Sequence, residues 1–157
     1  GIVAVLALGG GAVACGGDSG GATTAGTAAG ADAPFRASAL AACLRQSSVP
    51  GERMTVSTAA GLDSIARQAR GGAVEVRFDV APGFPRGITG VALVVEDSDE
   101  SARATERKYA AVFKALGARS SGALHREANL VVAFEGTPTA AQRAVVQRCV
   151  RSVRGAS

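Results

Sequence analysis

The sequence predicts an α+β domain, a two-layer sandwich built on an antiparallel sheet, and three stretches carry that prediction. Leu130, Val131, Val132, Ala133 and Phe134 form an unbroken apolar run. It is too short for a helix and rich in β-branched residues, which reads as a strand covered on both faces and central in its sheet. Val74, Val76, Phe78 and Val80 alternate with Glu75, Arg77 and Asp79, the period of a strand with one wet face. Beyond Gly136 and Pro138, the residues Ala141, Val145, Val146, Cys149, Val150 and Val153 recur at helical spacing. Arg143, Arg148, Arg151 and Arg154 fall on the opposite side, so this is an amphipathic helix with Cys149 turned to the core.

Taken in order, the chain divides into residues 1–14, a signal-like segment, residues 15–34, a flexible Gly/Ala/Thr linker, and residues 35–157, a single domain. Phe35 leads into a helix from about Ala37 to Ser47, on which Leu40, Cys43 and Leu44 share a face, and Pro50 and Gly51 end it. Arg53–Ser57 alternates weakly, as a strand does. Leu62, Ile65, Ala66 and Ala69 mark a short helix stopped by Gly71 and Gly72. The alternating strand at 74–80 and the apolar run Val91–Val95 flank a Pro/Gly loop, which makes them an antiparallel hairpin. Asp97 or Ser98 can cap the next helix, whose inward residues are Tyr109, Val112, Phe113 and Leu116 and which ends at Gly117. A short strand at Ala123–His125 and a turn at Glu127–Asn129 lead into the apolar strand. Thr139 and Gln142 then match a capping box.

Without its two outer helices this order is βαββαβ, which resembles the ferredoxin-like sandwich. The resemblance is one of element order, and that fold hosts many unrelated activities. The N-terminus carries a second resemblance. The apolar run Ile2–Leu8, followed by small residues, resembles the tail of a secretory signal peptide, and Ala12-Val13-Ala14-Cys15 resembles the lipobox of bacterial lipoproteins, with Ala12 where Leu is usual. The resemblance implies a lipid on Cys15 and a place on the outer face of the bacterial cell membrane, or secretion. If Cys15 is acylated, Cys43 and Cys149 remain as a pair, and an exported protein is where such a pair becomes a disulfide.

Composition bounds the chemistry. Arg and Lys number 17 and acids 13; residues 35–157 hold all of the former and 11 of the latter, a net of +6. Lys accounts for only two of the 17, a bias of GC-rich coding more than of Arg chemistry. The basic outer face of the last helix fits an anionic polymer or membrane surface. With no interleaved aromatics and no recognised motif, no nucleic acid is expected as a partner.

Local strings imitate active sites without their context. Gly17-Asp18-Ser19-Gly20-Gly21 spells the surroundings of a chymotrypsin-like nucleophile, but it lies in the linker and His125 is the one histidine of the chain. Gly9, Gly11 and Ala14 lack the helix that a dinucleotide fingerprint opens. Glu96, Asp97, Asp99 and Glu100 miss calcium-loop spacing and suit a helix N-terminus. No metal or other cofactor is expected. Phe84 and Arg86, an aromatic beside a cation in the hairpin loop, are candidate partner contacts together with Arg143, Arg148, Arg151 and Arg154. The expectation is therefore a non-catalytic, exported cell-envelope domain, anchored at Cys15, that binds a partner protein or ligand. The alternative is a weak binder of anionic surfaces through the last helix, and a small hydrolase ranks third.

Overall fold

In the computed structural model the chain is described over residues 34–58, 63–80, 89–117 and 124–156. The lipobox-like Cys15, the linker, and the hairpin-loop residues Phe84 and Arg86 lie outside those residues. The elements are α1 (Ala37–Arg45), β1 (Glu52–Ser57), a one-turn 3₁₀ segment (Ala66–Gln68), β2 (Ala73–Val80) and β3 (Thr89–Val95). They are followed by α2 (Asp99–Ala115), β4 (Leu124–Glu127), β5 (Leu130–Glu135) and α3 (Ala140–Arg154). The short helix expected around residues 62–69 is thus a single 3₁₀ turn, held by Asp63 Oδ1, which accepts from the amides of Ile65 and Ala66 at 2.7 and 2.8 Å.

All five strands join one sheet in the order β1-β2-β3-β5-β4, and every neighbouring pair is antiparallel. The α+β class holds, whereas this strand order departs from the ferredoxin-like arrangement. β1 and β2 are adjacent and antiparallel, so the segment between them makes no crossover. The crossover is instead β3–α2–β4, in which β5 is inserted between two strands that run parallel.

Strand alternation sends two sets of side chains to opposite faces, and both are covered. Val74, Val76 and Phe78 of β2, Val91, Leu93 and Val95 of β3, and Leu130, Val132 and Phe134 of β5 pack against α1 and α3. Ala92, Val94, Val131 and Ala133 pack against Ala66, Ala102 and Tyr109. The architecture therefore has three layers rather than the expected two. Small residues mark the α2 face because a helix and a 3₁₀ turn lie close over it, while the larger Val, Leu and Phe side chains fill the α1/α3 face. The apolar run of β5 is covered on both sides as expected, but β3 is the middle strand and β5 stands next to the edge.

The α1/α3 layer is stapled. Cys43 and Cys149 are joined in a disulfide with Cα atoms 5.6 Å apart, and Ser47 Oγ lies 3.5 Å from Cys149 Sγ. α3 begins in a full capping box: Thr139 Oγ1 accepts from the Gln142 amide, and Gln142 Oε1 accepts from the Thr139 amide at 2.9 Å. The buried Gln142 also donates to Glu52 Oε2 at 2.7 Å and so fixes the start of α3 to β1. At the other end of this layer, buried Asn129 donates to the carbonyls of Phe35 and Glu96 and accepts from the Phe35 amide. One side chain thereby ties the lead-in to α1, the end of β3 and the β4–β5 turn.

α2 is capped by Ser98, which accepts from the Ser101 amide, rather than by Asp97. Its inward side is Ala102, Thr105 and Tyr109, with Phe113 half-buried. Val112 and Leu116, expected to face inward, are 43% and 66% exposed. The last turn of α2 carries an apolar flank into solvent.

Candidate functional site

Two hollows lined by described residues bring the candidate site residues together. The larger, of about 470 Å³, runs between α3 and the β4–β5 edge of the sheet. The stripe Arg143, Val146, Gln147, Val150 and Arg151 of α3 forms one wall, at the i, i+3, i+4, i+7, i+8 spacing that shares a helix face. Val132 and Phe134 of β5 form an apolar floor, and Leu124, His125 and Glu127 of β4 form the far side. The groove exists because α3 follows β5 closely and covers the middle of the sheet, leaving the four-residue edge strand β4 uncovered on that face. Glu127, which faces the groove, accepts from Arg154 at 2.5 Å and is neutralised, while the side chain of His125 is 65% exposed and 3.9 Å from Glu127.

The four arginines of α3 thus separate into different roles. Arg154 is an ion-pair partner that pins the end of α3 to β4. Arg143 and Arg151 flank the groove, and Arg148 points into solvent outside its lining. None of these last three has a carboxylate partner among the described residues, which leaves two uncompensated guanidinium groups over an apolar floor.

The second hollow, of about 330 Å³, lies between the end of α2, the segment at Asp63–Ile65 and the end of β5. Val112, Phe113 and Leu116 supply its apolar wall, and Asp63, Tyr109 and Glu135 its polar groups. Tyr109 donates to Asp63 Oδ2 at 2.7 Å, and burial first, then this bond, push its phenol far above the ordinary value. Both oxygens of Asp63 are therefore committed to structure, Oδ1 by the 3₁₀ turn and Oδ2 by Tyr109. Glu135 remains exposed by area, yet lost hydration first, then the charges of Glu75 and Asp63, raise its pKa. A Cβ on Gly90 would come within 2.9 Å of Glu135 Oε2, a contact that the flexible end of that side chain can move to relieve. Glu75, expected on a wet face, is 9% exposed; its Oε1 accepts from Arg77 at 2.6 Å and its Oε2 has no hydrogen-bond partner among the described residues.

Three of the four acids in the cluster around the start of α2 are engaged in contacts within the fold. Glu96 is buried and accepts from Thr105 at 2.6 Å and from the Arg70 amide, Asp97 pairs with Arg70, and Asp99 pairs with Arg103 and Arg126. Among the described residues no group of three or more His, Cys, Asp and Glu is arranged to hold a metal ion. Likewise, no described helix is long and apolar enough to cross a membrane.

Sequence patterning places Arg143 and Arg151 on the outer face of α3 but gives no sign that a groove lies beside them. The second hollow had no usable signal at all, because Asp63, Tyr109 and Glu135 sit in three separate segments. Comparison with known proteins adds no constraint: no protein-family model, curated protein or solved structure matches the chain.

Proposed function

We propose that this chain is a non-catalytic, exported domain of the bacterial cell envelope, anchored through a lipid on Cys15, which binds a partner protein or ligand. The observation that carries the reading is the Cys43–Cys149 disulfide. Structural disulfides form and persist in oxidising compartments and are rare in the cytosol, so a core cross-link between the first and last helices belongs with export. The lipobox-like Ala12-Val13-Ala14-Cys15 and the Gly/Ala/Thr tract after it agree with a tethered domain. A hydrolytic reading finds no support: His125 stands on an exposed edge strand, 3.9 Å from a glutamate that is already paired.

Intact mass spectrometry of the protein extracted from native membranes tests this. The expected result is an acylated Cys15 and a mass gain from thiol blocking that occurs only after reduction. A chain with three free thiols overturns the reading.

A second reading, favoured by the guanidinium groups of Arg143, Arg148 and Arg151, which have no carboxylate partner among the described residues, is weak attraction to anionic polymers or to the membrane surface. Vesicle binding that collapses as ionic strength rises would support it.

A further inference from the structure

We propose that the groove between α3 and β4 binds an extended acidic peptide that adds to the sheet as a strand beside β4. The inference deepens the proposed function, resting on its reading of the domain as a binder, but it requires neither the lipid nor the envelope.

Three observations converge on a peptide. First, β4 is the last strand in the sheet, so its outer backbone edge has no strand beside it among the described residues. Such an edge offers a row of amides and carbonyls, and strand addition supplies their partners. A hydrocarbon chain in the same groove would make no use of those groups, which water would keep. Second, the groove floor is apolar and lies on the side of the sheet to which alternate residues of an added strand would point. Third, the charge is complementary to acid. Glu127 is occupied by Arg154, while Arg143 and Arg151 have no carboxylate partner among the described residues.

The spacing makes the proposal specific. Arg143 and Arg151 are eight residues apart on one helix, which is about 12 Å along its axis. α3 crosses the sheet obliquely, from Glu52 of β1, which Gln142 contacts, to Glu127 of β4, which Arg154 contacts, so about 12 Å is the upper bound on the separation of the two arginines along β4. In an extended peptide, side chains on one face repeat about every 6.7 Å, so the first and fifth residues are about 13 Å apart. The occupant is then acidic at its first and fifth positions, where it meets the two guanidinium groups. At its third position, between these two, it carries an apolar β-branched residue that faces the groove.

The test uses the oxidised domain and a fluorescein-labelled peptide, glycine–glutamate–threonine–valine–threonine–glutamate–glycine, followed by fluorescence anisotropy and amide hydrogen exchange. Binding is expected, with slowed exchange at β4. It should weaken about tenfold or more in the double variant Arg143→Glu, Arg151→Glu, the scale expected when two rim ion pairs become repulsive. Both arginines are exposed and have no carboxylate partner among the described residues, so that variant should stay folded, with a melting temperature within a few degrees of wild type, the reversed charge of Arg151 at the end of α3 being its main cost. A lysine-for-glutamate peptide and a peptide N-methylated on its β4-facing amides should not bind. Absence of binding to the oxidised wild type, or binding that the charge reversal or the N-methylation leaves unchanged, overturns the proposal. So does binding to phosphatidylglycerol vesicles without binding to the peptide, which would support the membrane-surface reading instead. Failure of the peptide with Cys15 acylated and the disulfide intact would sink this inference alone.

Discussion

Reducing the Cys43–Cys149 bridge should destabilise the domain by about 5 kcal/mol. The two cysteines are 106 residues apart, so the bridge closes a loop containing most of the folded chain. In the chain-entropy account a loop of that length removes roughly 16 cal/mol/K from the unfolded ensemble, which is about 4.8 kcal/mol at 25 °C. For a domain of about 120 residues that corresponds to a fall in melting temperature of roughly 15–20 °C. The assay is urea denaturation followed by far-UV circular dichroism, with and without dithiothreitol, and with Cys43→Ala as a second route to the open chain. Cys43 is only partly buried, so losing its sulfur adds little, and the two perturbations should agree within about 1 kcal/mol. The denaturant slope should rise in both, because the opened chain exposes more surface when unfolded. A loss below about 1 kcal/mol, or an unchanged slope, would refute the reasoning and place the stabilisation of the α1/α3 layer in its packing alone.

Other outcomes follow from single side chains. Asn129→Ala should cost about 2–4 kcal/mol in chemical denaturation, because it removes three buried hydrogen bonds and leaves the Phe35 amide and two carbonyls without them; a loss under about 1 kcal/mol would mean that water replaces the amide. Thr139→Ala should cost about 1 kcal/mol, with the earliest amide-exchange change in the first turn of α3, since it opens the capping box. Glu135 has a raised pKa in the fold, so the native state holds its proton to higher pH than the unfolded chain does. Its contribution is intact below the ordinary carboxylate range and is lost as pH rises through the folded value. Glu135→Gln should therefore stabilise the domain near neutral pH and flatten the decline above about pH 4.5, and a parallel pH profile in wild type and variant would contradict this.

The parts legible in the sequence are those in which one local signal decides the outcome. The capping box of Thr139 and Gln142, the burial of Cys149 and the 74–95 hairpin each depend on a few neighbouring residues, and each stands in the structure. The pairing of Cys43 with Cys149 follows from the cysteine count once export is expected, and the disulfide stands in the structure. What escaped depends on relations between distant segments. Val112 and Leu116 keep helical spacing with Tyr109, but periodicity says nothing about where the sheet beneath a helix ends, and α2 outruns it. Glu75 alternates as a solvent-facing residue should, yet neighbouring strands and Arg77 enclose it. Gly71 and Gly72 look like a helix stop. In the structure they allow close approach to β3, where the Gly71 amide donates to the Val95 carbonyl and a Cβ on Gly71 would lie 2.7 Å from that oxygen. The third layer was hidden for a similar reason: alternation along β3 and β5 gives apolar residues on both faces but does not assign helices to them.

The bridge and the groove meet on α3, which allows stability to be separated from recognition. If the disulfide acts through the unfolded chain, a reduced but still folded domain should present the same groove as the oxidised one. The native position of α3 has anchors of its own, with Gln142 bonded to Glu52 at its start, Arg154 to Glu127 at its end, and Val145, Val146 and Val150 buried between them. A domain of this size has a total stability of roughly 6–18 kcal/mol, so the loss of about 5 leaves a folded population that sucrose can reinforce. Measured there, with circular dichroism confirming the fold, affinity for the acidic peptide should change by less than about twofold on reduction while the urea midpoint falls sharply. A parallel fall in affinity would show that the bridge positions α3 in the native state. Thiol redox state would then control access to the sheet edge as well as the lifetime of the fold.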